Sequence, residues 1–108
     1  MGWYKRAQQQ QYNGYKMVAW DGQRAYSLYD QNQTIDISIG STTQMEGQGV
    51  FLGTTREFCM NYYSGLTDDQ DMLLTYTYNA EDIIEGDPNH PNSEIRVRQA
   101  RLTNYELV

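Results

Sequence analysis

Between Met72 and Tyr78 the chain alternates with a period of two, and this run constrains the fold more than any other. Met72, Leu74, Tyr76 and Tyr78 fall on one face, and Leu73, Thr75 and Thr77 on the other. Successive side chains of a strand point to opposite sides of its sheet, so the run reads as a β-strand. A strand needs partners, and the chain supplies them. Tyr15 to Trp20 is a second strand, and Asp21-Gly22 after it is a hairpin signal, with Arg24 to Tyr29 as the returning arm. Ile35, Ile37 and Ile39 alternate with Asp36 and Ser38, and Val50 to Leu52 forms a short apolar strand. A last strand begins near Glu94. Its apolar positions change phase between Ile95 and Val97 and the later Ala100 and Leu102, which predicts a bulge near Arg98 or Gln99. Tyr105 and Leu107 extend it.

The segments between these runs read as loops. Asn13-Gly14 marks a turn, Asp30 to Thr34 is polar, Gly40 to Gly49 is rich in Ser, Thr, Gln and Gly, and Gly86 to Ser93 is rich in Pro and Asn. Leu66 to Asp71 is an acidic loop. Gly53-Thr54-Thr55 ends one strand and opens a helix. Thr54 or Thr55 suits the N-cap, and Glu57 sits in the first turn, where the helix dipole favours a carboxylate. Phe58, Cys59, Tyr62 and Tyr63 fall on one helical face, and Ser64-Gly65 ends the helix. Glu81 to Glu85 suits a single helical turn. The expected architecture is α+β, a mainly antiparallel sheet of about six strands with one principal helix at about residues 55–64. Residues 1–12, with Trp3, Tyr4, Ala7 and a Gln run, read as an N-terminal arm or short helix, and residues 13–108 as a single domain.

A chain of 108 residues has the length of one domain. Only 39% of it is hydrophobic, below the usual ~45–50%, and that share already includes ten Tyr. The core and its rim are therefore expected to be Tyr-rich, with hydroxyls reaching water or polar partners. The formal net charge is −6, and the basic cluster of note is Arg96, Arg98 and Arg101. Nonspecific nucleic-acid binding needs clustered cations, so bulk nucleic acid is a poor partner and a protein surface or small ligand a better one. The single Cys59 excludes an internal disulfide, and no apolar run approaches the ~18 residues that span a membrane. A cytoplasmic protein is the plain reading. A metal site is not expected: His90 lies in the turn-forming stretch Asp87 to Asn92, and Asp68, Asp69 and Asp71 lack the spacing of a calcium loop. Cys59, beside Phe58 in mid-helix, reads as a small core residue.

The stretch Gly47-Gln48-Gly49-Val50-Phe51-Leu52-Gly53-Thr54-Thr55, followed by a helix ending in Tyr62-Tyr63, resembles an element of ADP-ribosyltransferase-fold proteins. There it reads Gly-x-Gly, an aliphatic residue and two aromatics, then a helix ending in Tyr. The final strand from Glu94 to Leu102 resembles their last motif. The resemblance implies a catalytic carboxylate at Glu94 and a nicotinamide-stacking ring at Tyr62 or Tyr63. It places Phe51 where one class has a Tyr, and Gly53 and Thr54 where the other has Ser and Thr. Lys16 stands on the first strand where the family carries a His or Arg. It lacks the guanidinium fork and its bidentate geometry. One catalytic position of the three is retained. The implied fold is thus a degenerate ADP-ribosyltransferase-like one. Glu94 also suits an ordinary ion pair with Arg96 or Arg98, and Tyr62 and Tyr63 also suit helix-to-sheet packing.

A second resemblance covers more of the chain. The Tyr15-Lys16 strand, the Gly-aromatic strand, the helix ending Asn61-Tyr62-Tyr63-Ser64 and the closing Ile95-Arg96-Val97-Arg98 resemble a family of small uncharacterised domains in tailed phages. Trp3 to Gln8 resembles the opening of many phage-encoded proteins. Together these imply a small accessory protein that acts by binding a host or phage protein and needs no cofactor. The alternatives are an active NAD-dependent mono-ADP-ribosyltransferase with Glu94 catalytic, and a structural component of the virion.

Overall fold

The computed structural model describes residues 10–44 and 48–108. The N-terminal arm or short helix expected over residues 1–12 lies mostly outside them. Tyr12 and Gln11 already belong to the first strand, β1 (Gln11–Trp20), which pairs along its whole length with β6 (Gln70–Asn79). The turn expected at Asn13-Gly14 does not form, because Gly14 is needed for another reason. A Cβ there would lie 2.7 Å from Leu52 Cδ1 and 2.9 Å from Leu52 Cβ, so the glycine lets β1 approach the neighbouring strand closely.

The hairpin at Asp21-Gly22 forms as expected. Asp21 Oδ1 accepts from the backbone N–H of Gln23 and of Arg24, each at 2.8 Å, and Ala25 returns opposite Trp20 in β2 (Ala25–Ser27). β3 (Asp30–Ile35) pairs with β2 and is exposed almost throughout. Asp30 to Thr34, expected as loop, is therefore strand, and the Ile37 and Ile39 continuation is not. β4 (Thr42–Gln44) follows, then β5 (Val50–Gly53) and the helix α1 (Arg56–Tyr62). Thr55 is the N-cap; its Oγ1 accepts from the Phe58 N–H at 3.3 Å. After β6, a 3₁₀ turn at Ala80–Asp82 leads into β7 (Ile83–Glu85), where a single helical turn was expected.

The final strand is two strands. β8 (Glu94–Val97) pairs with β5 and β7, whereas β9 (Gln99–Leu107) pairs with β6 and β4. The phase change read at Arg98 is thus a corner rather than a bulge; the bulge lies at the break in register opposite Thr75 and Tyr76. The Arg98 N–H is held in the corner by the Asp82 carbonyl at 2.7 Å.

That corner fixes the shape of the sheet. Its order is β4-β9-β6-β1-β5-β8-β7, so β8 and β9 are separated by β6, β1 and β5. Four strand spacings in a flat sheet span roughly 19 Å. Val97 and Gln99 are two residues apart and reach at most about 7.6 Å. The sheet must therefore curl back on itself. The concave face holds the main core, including Val18, Leu52, Leu74, Tyr76, Tyr78, Val97 and Leu102. The convex face of β1 and β6 is covered by α1 through Met17, Leu73 and Cys59.

Among the described residues, nine strands make 54%, and α1 together with the 3₁₀ turn at Ala80–Asp82 makes 10%. The expected α+β class with about six strands is corrected to a mainly-β fold. β4 and β7 are three residues each and carry no alternation, and the corner at Arg98 divides one expected strand into two. Among the described residues α1 is the one α-helix, and the 3₁₀ turn at Ala80–Asp82 is a single turn.

Candidate functional site

The sheet forks on one side of β1. β5 meets β1 through the single pair Tyr15↔Gly53, and β2 meets it only at Ala19 and Trp20. Between them, Lys16, Met17 and Val18 have no strand beside them on that edge among the described residues. A cavity of ≈ 640 Å³ occupies the fork and runs into the concave face. Such a volume lies within the range of small-molecule sites.

Lys16, Phe51, Gly53, Tyr63 and Glu94 all line this cavity. Five of the seven residues singled out in the sequence therefore converge. Glu94 and Tyr63 touch directly: the Tyr63 hydroxyl donates to Glu94 Oε2 at 3.1 Å. Burial, the Glu94 charge and the neighbouring Tyr29 push the Tyr63 phenol well above its ordinary range. Gly53 is small because α1 passes close by; a Cβ there would meet Phe58 Cδ2 at 2.9 Å and Cys59 Sγ at 3.0 Å.

Thr54 and Tyr62 do not join the site. Thr54 Oγ1 donates to the His90 carbonyl at 2.7 Å, and its backbone N–H to the Ser93 carbonyl at 2.8 Å, so it anchors the 86–93 loop. Tyr62 is 66% exposed and leans on Phe58 with ring centroids 5.0 Å apart. The expected choice between Tyr62 and Tyr63 thus falls on Tyr63. The ion pair that Glu94 suited with Arg96 or Arg98 is not made among the described residues either. Arg96 Nη2 pairs instead with Glu85 Oε2 at 2.8 Å, and its guanidinium lies 6.0 Å from the centre of the Phe51 ring.

Lys16 alternates with Gly14 and Val18 on the concave face, opposite Leu74 of β6. Burial pushes its ammonium below its ordinary range, and Cys59 and Glu94 pull it partly back. Among the described residues no carboxylate lies within ion-pair distance of it. Cys59 plugs the fork from the helix side. Burial pushes its thiol up to about 11, against the pull of the Gly53 N–H, the Lys16 charge and the Met17 N–H. The thiol is therefore protonated at neutral pH, and the thiolate is the nucleophilic form.

One contributor was missed in the sequence. Tyr76 was read as a core position of β6, and its ring is fully buried. The residue also lines the cavity, although its hydroxyl is itself buried and has no hydrogen-bond partner among the described residues. Burial pushes it up; the Thr43 hydroxyl beside it eases the shift without completing a hydrogen bond. Alternation marks a strand residue as inward but says nothing about whether its polar tip is satisfied.

Among the described residues, no three His, Cys, Asp or Glu side chains group as metal ligands, and no helix is long and apolar enough to cross a membrane. No protein-family model, curated protein or solved structure matches the chain. The expected ADP-ribosyltransferase-like fold is set aside. A curled mainly-β sheet with a seven-residue helix stands in its place, and no solved structure links it to that fold.

Proposed function

We propose that this protein acts by binding, as a small accessory module, and that the cleft at the fork holds a small ligand without converting it. The observation that carries this reading is the convergence of Lys16, Phe51 and the hydrogen-bonded pair Tyr63 and Glu94 on one cavity of ≈ 640 Å³. Small-molecule sites combine an apolar wall with a few converging polar groups, and this cleft has that composition. The side chains at hand suit holding more than turnover. Cys59 and Tyr63 are kept in their protonated forms, and His90 sits on an exposed loop whose carbonyl is tied to Thr54.

A second reading, a docking face for a host or phage protein, draws on a different observation. Tyr29 is 80% exposed and Phe51 41% exposed, and both border the cleft. Tyr is enriched in interface hot spots, so these rings are suitable anchors for a protein partner. A fragment screen by two-dimensional NMR separates the readings. Hits whose shift changes centre on Lys16, Met17 and Tyr76 support the cleft. Hits scattered over the surface, with none at those amides, refute it.

A further inference from the structure

The charged groups of the cleft lie at different depths. Lys16 is half-buried, and it is the only cation on the wall among the described residues. No carboxylate among those residues stands within ion-pair distance of it, and burial pushes its ammonium below the ordinary range. Glu94 is exposed, at the outer end of the cleft. Its Oε2 accepts from the Tyr63 hydroxyl at 3.1 Å, and its charge is felt at Lys16. The two charges therefore share one space without touching. Asp36, the other carboxylate on the wall, is exposed and already accepts from the Ser38 N–H at 2.9 Å, so water and backbone satisfy it.

Rings distinguish the surroundings of Glu94. Tyr63 and its neighbour Tyr29 both line the cleft, and neither carries a cation over its ring among the described residues. Phe51 already holds the Arg96 guanidinium, 6.0 Å from its centre. An ammonium beside Glu94 meets both a carboxylate and open aromatic faces. A bare cation held there leaves Lys16 without a counter-charge, and a bare anion drawn to Lys16 meets Glu94 on the way in. A neutral polyol brings a dipole to each charge and a counter-charge to neither, and opposite charges attract most where water is excluded. A molecule with a carboxylate at its inner end and an ammonium at its outer end answers both. Met17, Leu28 and Val50 give the rest of it an apolar wall. From this geometry we infer that the cleft binds a small zwitterionic amino acid, plain or N-methylated, with its carboxylate turned to Lys16 and its ammonium to Glu94. This rests on the cleft being a ligand site, as proposed above.

The test is titration of the intact protein at pH 7 by two-dimensional NMR. The probes are L-leucine, L-methionine, L-phenylalanine and glycine betaine. Each one that saturates is compared with the amine that lacks its carboxylate and the acid that lacks its ammonium, phenethylamine and 3-phenylpropionate for L-phenylalanine. D-glucose is the neutral control. At least one zwitterion is expected to saturate the protein, moving the amides of Lys16 and Glu94, and to bind tighter than either singly charged analogue by about tenfold or more. Lys16→Met is expected to weaken the zwitterion by a similar factor and the amine not at all. Glu94→Gln, on an exposed residue, is expected to weaken the zwitterion and the amine but not the acid. A merely structural effect of either variant weakens both analogues alike.

The inference is overturned if no zwitterion saturates the protein, if an amine, an acid or D-glucose binds as tightly, or if either variant departs from its expected pattern. Saturation by a singly charged or neutral probe alone, at the same amides, overturns the zwitterion and leaves the ligand cleft standing. A fragment screen without hits at the cleft removes the ligand cleft itself, and the two failures are thereby told apart.

Discussion

Substituting Gly14 with Ala tests whether the fork depends on close approach of β1 and β5. The added Cβ would sit 2.7 Å from Leu52 Cδ1, 2.9 Å from Leu52 Cβ and 3.2 Å from Tyr78 Cε1. The first contact is with the end of a side chain, but Leu52 is 1% exposed and has little room to turn. The second is with an atom fixed to the backbone of β5, so relief requires the strand to move. Overpacking of this kind costs about 1–3 kcal/mol. Replacing Gly by Ala within a strand returns roughly 0.5–1 kcal/mol, because Gly loses more conformational freedom on folding. The expected net loss is about 1–2 kcal/mol. For a domain near this length that lowers Tm by roughly 4–16 °C. Urea denaturation read by circular dichroism measures the loss directly. A double-mutant cycle with Leu52→Ala sharpens the test, since it removes the 2.7 Å contact and leaves the 2.9 Å one. The double variant is expected to lose less than the sum of the two single losses, by on the order of 1 kcal/mol. If Gly14→Ala is neutral or stabilising, or the two losses simply add, the close-approach argument is refuted.

Two further predictions concern charge. Lys16→Met is expected to raise Tm at neutral pH. A lysine with a lowered folded-state pKa makes the charged form costlier in the folded protein, and that cost is present below the folded pKa and fades as pH rises towards the unfolded one. A Tm gain that shrinks on moving from pH 7 to pH 11 checks the sign; a loss at pH 7 contradicts it. For Cys59 the shift is upward, from 9.0 to about 11, so its contribution is fully present below pH 9 and is lost as pH rises through about 11. Stability is accordingly expected to fall across that window, and native Cys59 to react slowly with iodoacetamide at pH 7.5 and quickly once unfolded. Equal rates in the two states would sink the argument.

The parts of the fold legible in the sequence are those where hydrophobicity marks the structure. β6 alternates strongly, Asp21-Gly22 is specific turn chemistry, and Thr55 with Glu57 announces the helix start. β3 was illegible because both of its faces meet solvent over Asp30 to Thr34, so nothing distinguishes it from a polar loop. β4 and β7 are too short to show any period. Asn13-Gly14 misled because a glycine chosen for contact looks the same as one chosen for a turn. Arg98 was rightly located as an irregularity, but a phase change carries no information about which strands lie on either side. At the site, Lys16, Phe51, Gly53, Tyr63 and Glu94 came together although the fold that suggested them was wrong. Each lies at a strand end, a strand edge or a helix end, and such positions gather around openings in a sheet whatever its topology. Tyr76 escaped notice because burial of its ring was the stronger signal.

The single pair joining β5 to β1 makes the fork a seam. On one side, β1 and β6 are laced together over ten residue pairs; on the other, the β5-β8-β7 leaf is joined to them by Tyr15↔Gly53, by the 3₁₀ turn between β6 and β7 and by the corner at Arg98. A seam of that kind concentrates whatever give the sheet possesses. A molecule gripping Lys16 on one side and Glu94 on the other acts as a second rivet across it. An event that held the leaf in place beforehand would then make such a molecule bind more tightly, and one that parted the seam would weaken it.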